Sequence, residues 1–189
     1  MNSEIKICNK ALSYFGGGQI SSLDEASEAA RVCSLHYEDA RDEVMRNFPW
    51  PFASKVTILA LSTDTIPGWL YVYQLPVICL RSRRIFNKYD YLADDIPFDI
   101  YGDKLVANLP EAYLEFTAKI TDPTYFDVTF SKALSYKLAS EIVIPLLGNT
   151  TRKQEFYAQY EQTIGDAKTT VMRERRIRQP EESSWVEGR

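Results

Sequence analysis

Segments with apolar residues at three- and four-residue spacing stand towards both ends of this chain. Between them lies a stretch where β-branched and aromatic residues come in short runs separated by Pro, Gly and Asp. That change of character, from helical spacing to short strand-forming runs and back, limits the fold more than any other feature. A helix and a strand show their apolar side chains at different repeats, and one pattern cannot serve as the other.

The first helical stretch opens at Ser3 and Glu4 and carries Ile5, Cys8, Leu12 and Phe15 on one face, until Gly16, Gly17 and Gly18 stop it. After the turn at Ser21-Ser22-Leu23-Asp24, the residues Ala30, Cys33, Tyr37, Ala40 and Val44 line a second, longer stripe. Glu28, Arg31, Glu38, Arg41 and Asp42 fall largely outside it. This helix is predicted to run to about Phe48, where Pro49 and Pro51 end it, since proline lacks a backbone donor and pushes its predecessor towards extended geometry.

Strands are predicted over Lys55 to Ala60, Trp69 to Gln74, Cys79 to Asn87, Phe98 to Tyr101, Lys104 to Asn108 and Tyr113 to Ile120. Tyr101-Gly102-Asp103-Lys104 reads as a tight hairpin turn, and Lys88 to Pro97 as a surface loop. Helical spacing returns at Phe130, Leu134, Leu138 and Ile142, with Pro145 and Gly148-Asn149 as the stop. A fourth stripe follows at Phe156, Tyr160, Ile164, Ala167 and Val171, with Thr150 or Thr151 as its cap.

The expected fold is therefore α+β: a four-helix bundle of two N-terminal and two C-terminal helices, an inserted, mainly antiparallel β lobe, and an extended C-terminal tail. In residue terms the bundle takes 1–53 and 121–175, the lobe 54–120 and the tail 176–189. A hydrophobic fraction of 45% in 189 residues is enough for a sizeable core. A net charge of −4 argues against a surface that binds nucleic acid by bulk electrostatics.

The longest apolar stretches, Val56 to Leu61 and Ile142 to Leu147, fall far short of the roughly 20 residues that span a bilayer. Glu4, Lys6 and Lys10 interrupt the N-terminus, so no secretory signal and a cytosolic place of synthesis are expected. Cys8, Cys33 and Cys79 have no C-x-x-C spacing and are expected to be buried, reduced thiols.

Chemistry-bearing motifs are few. His36 stands three residues after Cys33, at best half of a ligand set. Glu38, Asp39, Asp42 and Glu43 read as a solvated helix face shared with Arg41 and Arg46. The glycine triplet follows a helix rather than a strand and lacks the Gly-Lys-Ser/Thr ending of a phosphate loop. Asp94, Asp95, Asp99 and Asp103 do not follow the ligand spacing of a calcium loop. No catalytic, metal-binding or cofactor-binding residue is expected.

Two basic groups, Arg81-Ser82-Arg83-Arg84 and the cluster Arg173, Arg175, Arg176 and Arg178, have the chemistry to meet phosphates or an acidic protein surface. The polar strip from Gln179 to Arg189 holds one large aromatic, Trp185, suited to docking on a partner. Trp50, Phe52, Tyr37 and Phe130 are the expected core residues.

Several stretches together carry a resemblance: Ala11-Leu12 with Gly16, Ile20 to Glu25, Tyr37 with Ala40-Arg41-Asp42-Glu43-Val44, and Phe48-Pro49-Trp50-Pro51-Phe52-Ala53. Further along come Tyr71 to Pro76, Ile120-Thr121-Asp122-Pro123, Phe126-Asp127, Phe130, and Ala133-Leu134 through Leu138-Ala139. In this order and spacing, over roughly Ser3 to Met172, the chain resembles the tail tubular protein A family, the head-to-tail adaptors of short-tailed bacteriophages. It departs from the family's pattern at the triple glycine, at Val77-Ile78 before Cys79 and at Pro145.

The resemblance implies a structural virion protein with no enzymatic activity and no cofactor, built into the head-tail junction after assembly in the bacterial host cytoplasm. It implies a homo-oligomeric ring, a dodecamer in this family, that sits beneath the portal protein and receives the tubular nozzle protein on its other face. Genomic DNA would pass through the ring without specific binding, and no membrane is involved. On this view Arg173, Arg175, Arg176, Arg178 and Trp185 are candidate portal contacts. Tyr89, Tyr91, Asp94 and Asp95 are candidate contacts to the nozzle or to a neighbouring subunit. The competing reading is a cytosolic nucleic-acid-binding or regulatory protein that uses the C-terminal arginine cluster; a hydrolase centred on His36 and nearby carboxylates is a third.

Overall fold

The computed structural model describes residues 2–88 and 96–174, with side chains as far as Val171. Helix α1 spans Glu4–Ser13 and α2 spans Glu28–Asn47; each starts on a serine, Ser3 or Ser27, whose hydroxyl accepts from a first-turn amide. At the end of α1, Gly16 adopts a φ of 76° and Gly17 passes so close that an added Cβ would lie 3.1 Å from the side chains of Leu12 and Phe15. Gly16 supplies the left-handed turn, and Gly17 leaves room that a side chain would take from Leu12 and Phe15.

Helix α3 spans Val128–Leu147 and α4 spans Thr150–Glu174. The Asp127 carboxylate caps α3 by accepting from the Phe130 amide at 2.6 Å, and Gly148 closes it with a φ of 64°. Pro145 lies within its final turns and does not stop it. Thr150 and Thr151 are already helical; the cap of α4 is Asn149, whose side-chain oxygen accepts from the Arg152 amide at 3.0 Å.

Helix α3 is buried on nearly every side, among α1, α2 and α4. Small residues such as Ala133, Ser135, Ala139 and Ser140 let those neighbours approach, and the buried serine hydroxyls donate to carbonyls of their own helix. The expected single stripe on α3 is thus a central helix with apolar residues all round. Arg41, expected on the solvated face of α2, is instead buried, 1% exposed.

The lobe holds strands β1 Ser54–Ile58, β2 Ala60–Leu61, β3 Tyr71–Gln74, β4 Cys79–Phe86, β5 Phe98–Tyr101, β6 Lys104–Ala107 and β7 Tyr113–Ala118. They form two antiparallel sheets, β1-β7-β4 and β2-β3-β6-β5. The predicted strand from Lys55 to Ala60 divides at Leu59, where the chain leaves one sheet and enters the other. Leu59 is buried, and its amide donates to the Ala112 carbonyl at 2.9 Å. The β5–β6 turn uses a positive φ only at Gly102, 62°; Asp103 does not share it. Cys79, expected to be buried, is half-buried at the start of β4.

Two hydrophobic clusters result. One collects α1 to α4 with the segment Phe48 to Ala53. The other is filled from both sheets by residues such as Tyr73, Leu105, Ile85 and Phe116. Ile120 packs against both.

At the entrance to the lobe Trp50 is 1% exposed, its indole Nε1 donates to the Val44 carbonyl at 2.9 Å, and its ring meets Phe48 and Phe130 edge-on at 4.8 and 5.1 Å. Phe52 is half-buried and completes the group, 5.1 Å from Phe130. Trp50→Ala should lower stability by about 3 to 5 kcal/mol in denaturant unfolding, and Trp50→Phe, which loses mainly the hydrogen bond, by appreciably less.

Candidate interaction site

The site residues read from the sequence fall into three groups. Tyr89, Tyr91, Asp94, Asp95, Arg175, Arg176, Arg178 and Trp185 lie outside the described residues, and Arg173 is described only as backbone of α4. Trp50, Phe52 and Phe130 are brought together, as above. Tyr37 is buried elsewhere on α2; burial pushes its phenol above the ordinary value, and its hydroxyl has no hydrogen-bond partner among the described residues.

Where bundle and lobe meet, charge joins apolar packing in tying the elements: Leu80 and Ile120 lie against the bundle core, and polar contacts surround them. Asp42 accepts from Arg41 Nε at 2.8 Å and from Lys119 Nζ at 2.7 Å, so one carboxylate compensates a buried guanidinium and holds the segment that leaves β7. Arg81 donates to the Arg46 carbonyl at 3.1 Å, covering an acceptor in the last turn of α2. Arg83 and Arg84 both reach Glu115, at 3.3 and 2.7 Å. The basic run on β4 is therefore engaged within the fold: Arg83 and Arg84 neutralise a carboxylate, and Arg81 joins the lobe to the bundle. Arg46 and Arg81, both exposed, line a small cavity of about 180 Å³ together with Ser82 and Thr117.

A second polar group joins α2, α3 and α4. Lys137 Nζ contacts Glu43 at 2.8 Å and Glu141 at 3.0 Å, and lies over the Tyr157 ring at 5.4 Å. The imidazole of His36 stands 3.8 Å from Glu141, so the residue singled out as half a ligand set sits at the margin of an ion-pair group. Burial opposes the charge on Lys137, yet the bonds to Glu43 and Glu141 outweigh it and hold its pKa above the ordinary value. Cys8 and Cys33 are buried on α1 and α2; the neighbouring Cys33 thiol and burial push Cys8 far up, which keeps it a thiol.

The lysine group was missed in the sequence, although Glu141 at the fourth residue after Lys137 was a visible signal. Of the expected solvated acidic face of α2, Glu38 and Asp39 are exposed and flank Leu35, 71% exposed, along an open groove that begins at Leu23, whereas Asp42 and Glu43 are half-buried and engaged with Arg41, Lys119 and Lys137. Among the described residues, no group of three or more His, Cys, Asp and Glu is placed to hold a metal ion, and no helix is long and apolar enough to cross a membrane. No known family model matches the chain, and no curated protein sequence matches it.

The raised pKa of Lys137 sets a sign for pH dependence. A native value above the unfolded 10.5 gives stability that is fully present below that pH and is lost as pH rises through the native value. Lys137→Met should therefore unfold more easily than the unaltered chain at pH 7, by about 1 to 3 kcal/mol, with the difference shrinking above about pH 10.5. Urea melts of both proteins across that range check this.

Proposed function

We propose that the chain is a structural head-to-tail adaptor that joins a portal ring to a tail nozzle and continues the DNA channel between them. The observation that carries the reading is where the resembling stretches sit in space. Phe48 to Ala53 and Ile120 to Phe130, far apart in sequence, converge on the aromatic group of Trp50, Phe52, Phe126 and Phe130. That group lies where the chain enters and leaves the lobe, so the resemblance rests on parts that cooperate rather than on scattered matches.

The polar chemistry supports the same reading. Lys137, Asp42 and Glu115 are each engaged between elements of secondary structure. The basic run at Arg81 to Arg84 spends Arg83 and Arg84 on Glu115. An acidic protein also suits a conduit, because a wall that held the duplex tightly would impede its passage. In this reading the bundle forms the ring wall, the loop spanning Tyr89 to Asp95 faces the nozzle or a neighbour, and the C-terminal segment with Trp185 meets the portal.

Negative-stain electron microscopy of the full chain, alone and mixed with a portal ring, should show rings in at least one condition. Trp185→Ala should weaken portal binding without changing the melting temperature. Salt-sensitive DNA binding by an isolated monomer that forms no rings would favour the regulatory reading instead.

A further inference from the structure

The described sheets have four outer strands, and they are not equally protected. β4 carries two register irregularities and is tied to the end of α2 through Arg81. β2 is only two residues long. Bulges, tethers and shortness are the means by which proteins close a sheet edge to further pairing. β1 has none of them: it runs in unbroken register along β7 for five residues, with no strand on its other side among the described residues. Its Val56 and Ile58 are 52% and 54% exposed on one face. β5, at the edge of the other sheet, pairs with β6 alone among the described residues and exposes Ile100 and Tyr101.

We infer that β1 of one copy pairs with β5 of the next, so that a second copy of this chain completes the sheet. Set antiparallel with Val56 opposite Ile100, the two strands match. Ile58 then faces Phe98, which puts apolar residues together on one face. On the other face Thr57 meets Asp99, and Lys55 stands diagonal to the same carboxylate, an arrangement with complementary charge. A register slip by one residue would set Val56 against Asp99 and lose both matches. Because the two edges belong to different sheets, the contact is head to tail: every copy keeps one free edge of each kind, and repetition closes a ring or extends a filament.

This inference rests on the adaptor reading, and its test separates the two. In a Cys79→Ser background, Val56→Cys with Ile100→Cys places the new thiols on one face of the proposed pair, at cross-strand distance. Val56→Cys with Asp99→Cys places them on opposite faces. Oxidation with copper-phenanthroline under ring-forming conditions should give a ladder of linked multimers for the first variant and none for the second. Val56→Lys with Ile58→Lys should abolish rings while leaving the melting temperature within a few degrees of the unaltered chain. Rings that form without the ladder, or that survive the lysine pair, overturn the strand pairing and leave the adaptor reading standing. A chain that stays monomeric both alone and beside the portal overturns both.

Discussion

The edge-on contact between Trp50 and Phe130 is the constraint on which the rest of this architecture depends. The lobe is an insertion between the second and third helices, so the chain must leave the bundle and come back to it. An insertion with a loose exit and a loose return would be a tethered domain. Here the exit segment holds Trp50 and the return segment leads into Phe130, and the two rings meet in the bundle core. The indole hydrogen bond to Val44 fixes the exit to α2, and the Asp127 cap fixes the return to α3. Phe52 and Phe126 close the sides of the group.

Around that apolar hub lies a second set of ties made from charge. Asp42 serves Arg41 in the interior and Lys119 on the way out of the lobe, while Arg81 closes the last turn of α2 from the lobe side. Lys137 does comparable work among the helices. These bonds are directional in a way that apolar packing is not. They set how the lobe stands on the bundle, whereas the hydrophobic clusters determine mainly that each part is compact. A desolvated arginine such as Arg41 is costly without its carboxylate, so Asp42 cannot be exchanged for a neutral residue without exposing that cost.

Much of this was legible in the sequence, for physical reasons that differ by element. Helices α1 and α2 were read well because each presents one apolar stripe and each starts on a serine with the oxygen to cap it. Helix α3 was located but its environment was misread. A residue such as Lys137 looks like a surface position until Glu43, distant in sequence, is brought beside it. Arg41 was misassigned because local spacing does not show that its guanidinium is buried beside Asp42, whose other oxygen meets Lys119 from the lobe. In the sheet, runs of β-branched and aromatic residues located the strands, but only the fold shows that Leu59 is where the chain changes sheets. The charged contacts at the junction join residues from different elements, and one sequence gives no sign of such pairs. The contact residues given by the resemblance, Tyr89, Tyr91, Asp94 and Asp95, and Arg173, Arg175, Arg176, Arg178 and Trp185, are readings of sequence and chemistry.

The insertion also sets an order of events at the ribosome. Both strands and turns of the lobe are contiguous in the chain, whereas α1 and α2 find their central partner, α3, only after the whole lobe has been made. During synthesis the first two helices therefore carry exposed faces through the emergence of some seventy to eighty further residues. The lobe can close within its own contiguous segment in that interval, even though its β1–β7 pairing joins Ser54 to Thr117, while the bundle must wait for α3 and stays open to trapping by other chains. Nascent-chain chaperones and crowding should matter more to the helical part of this protein than to its sheets.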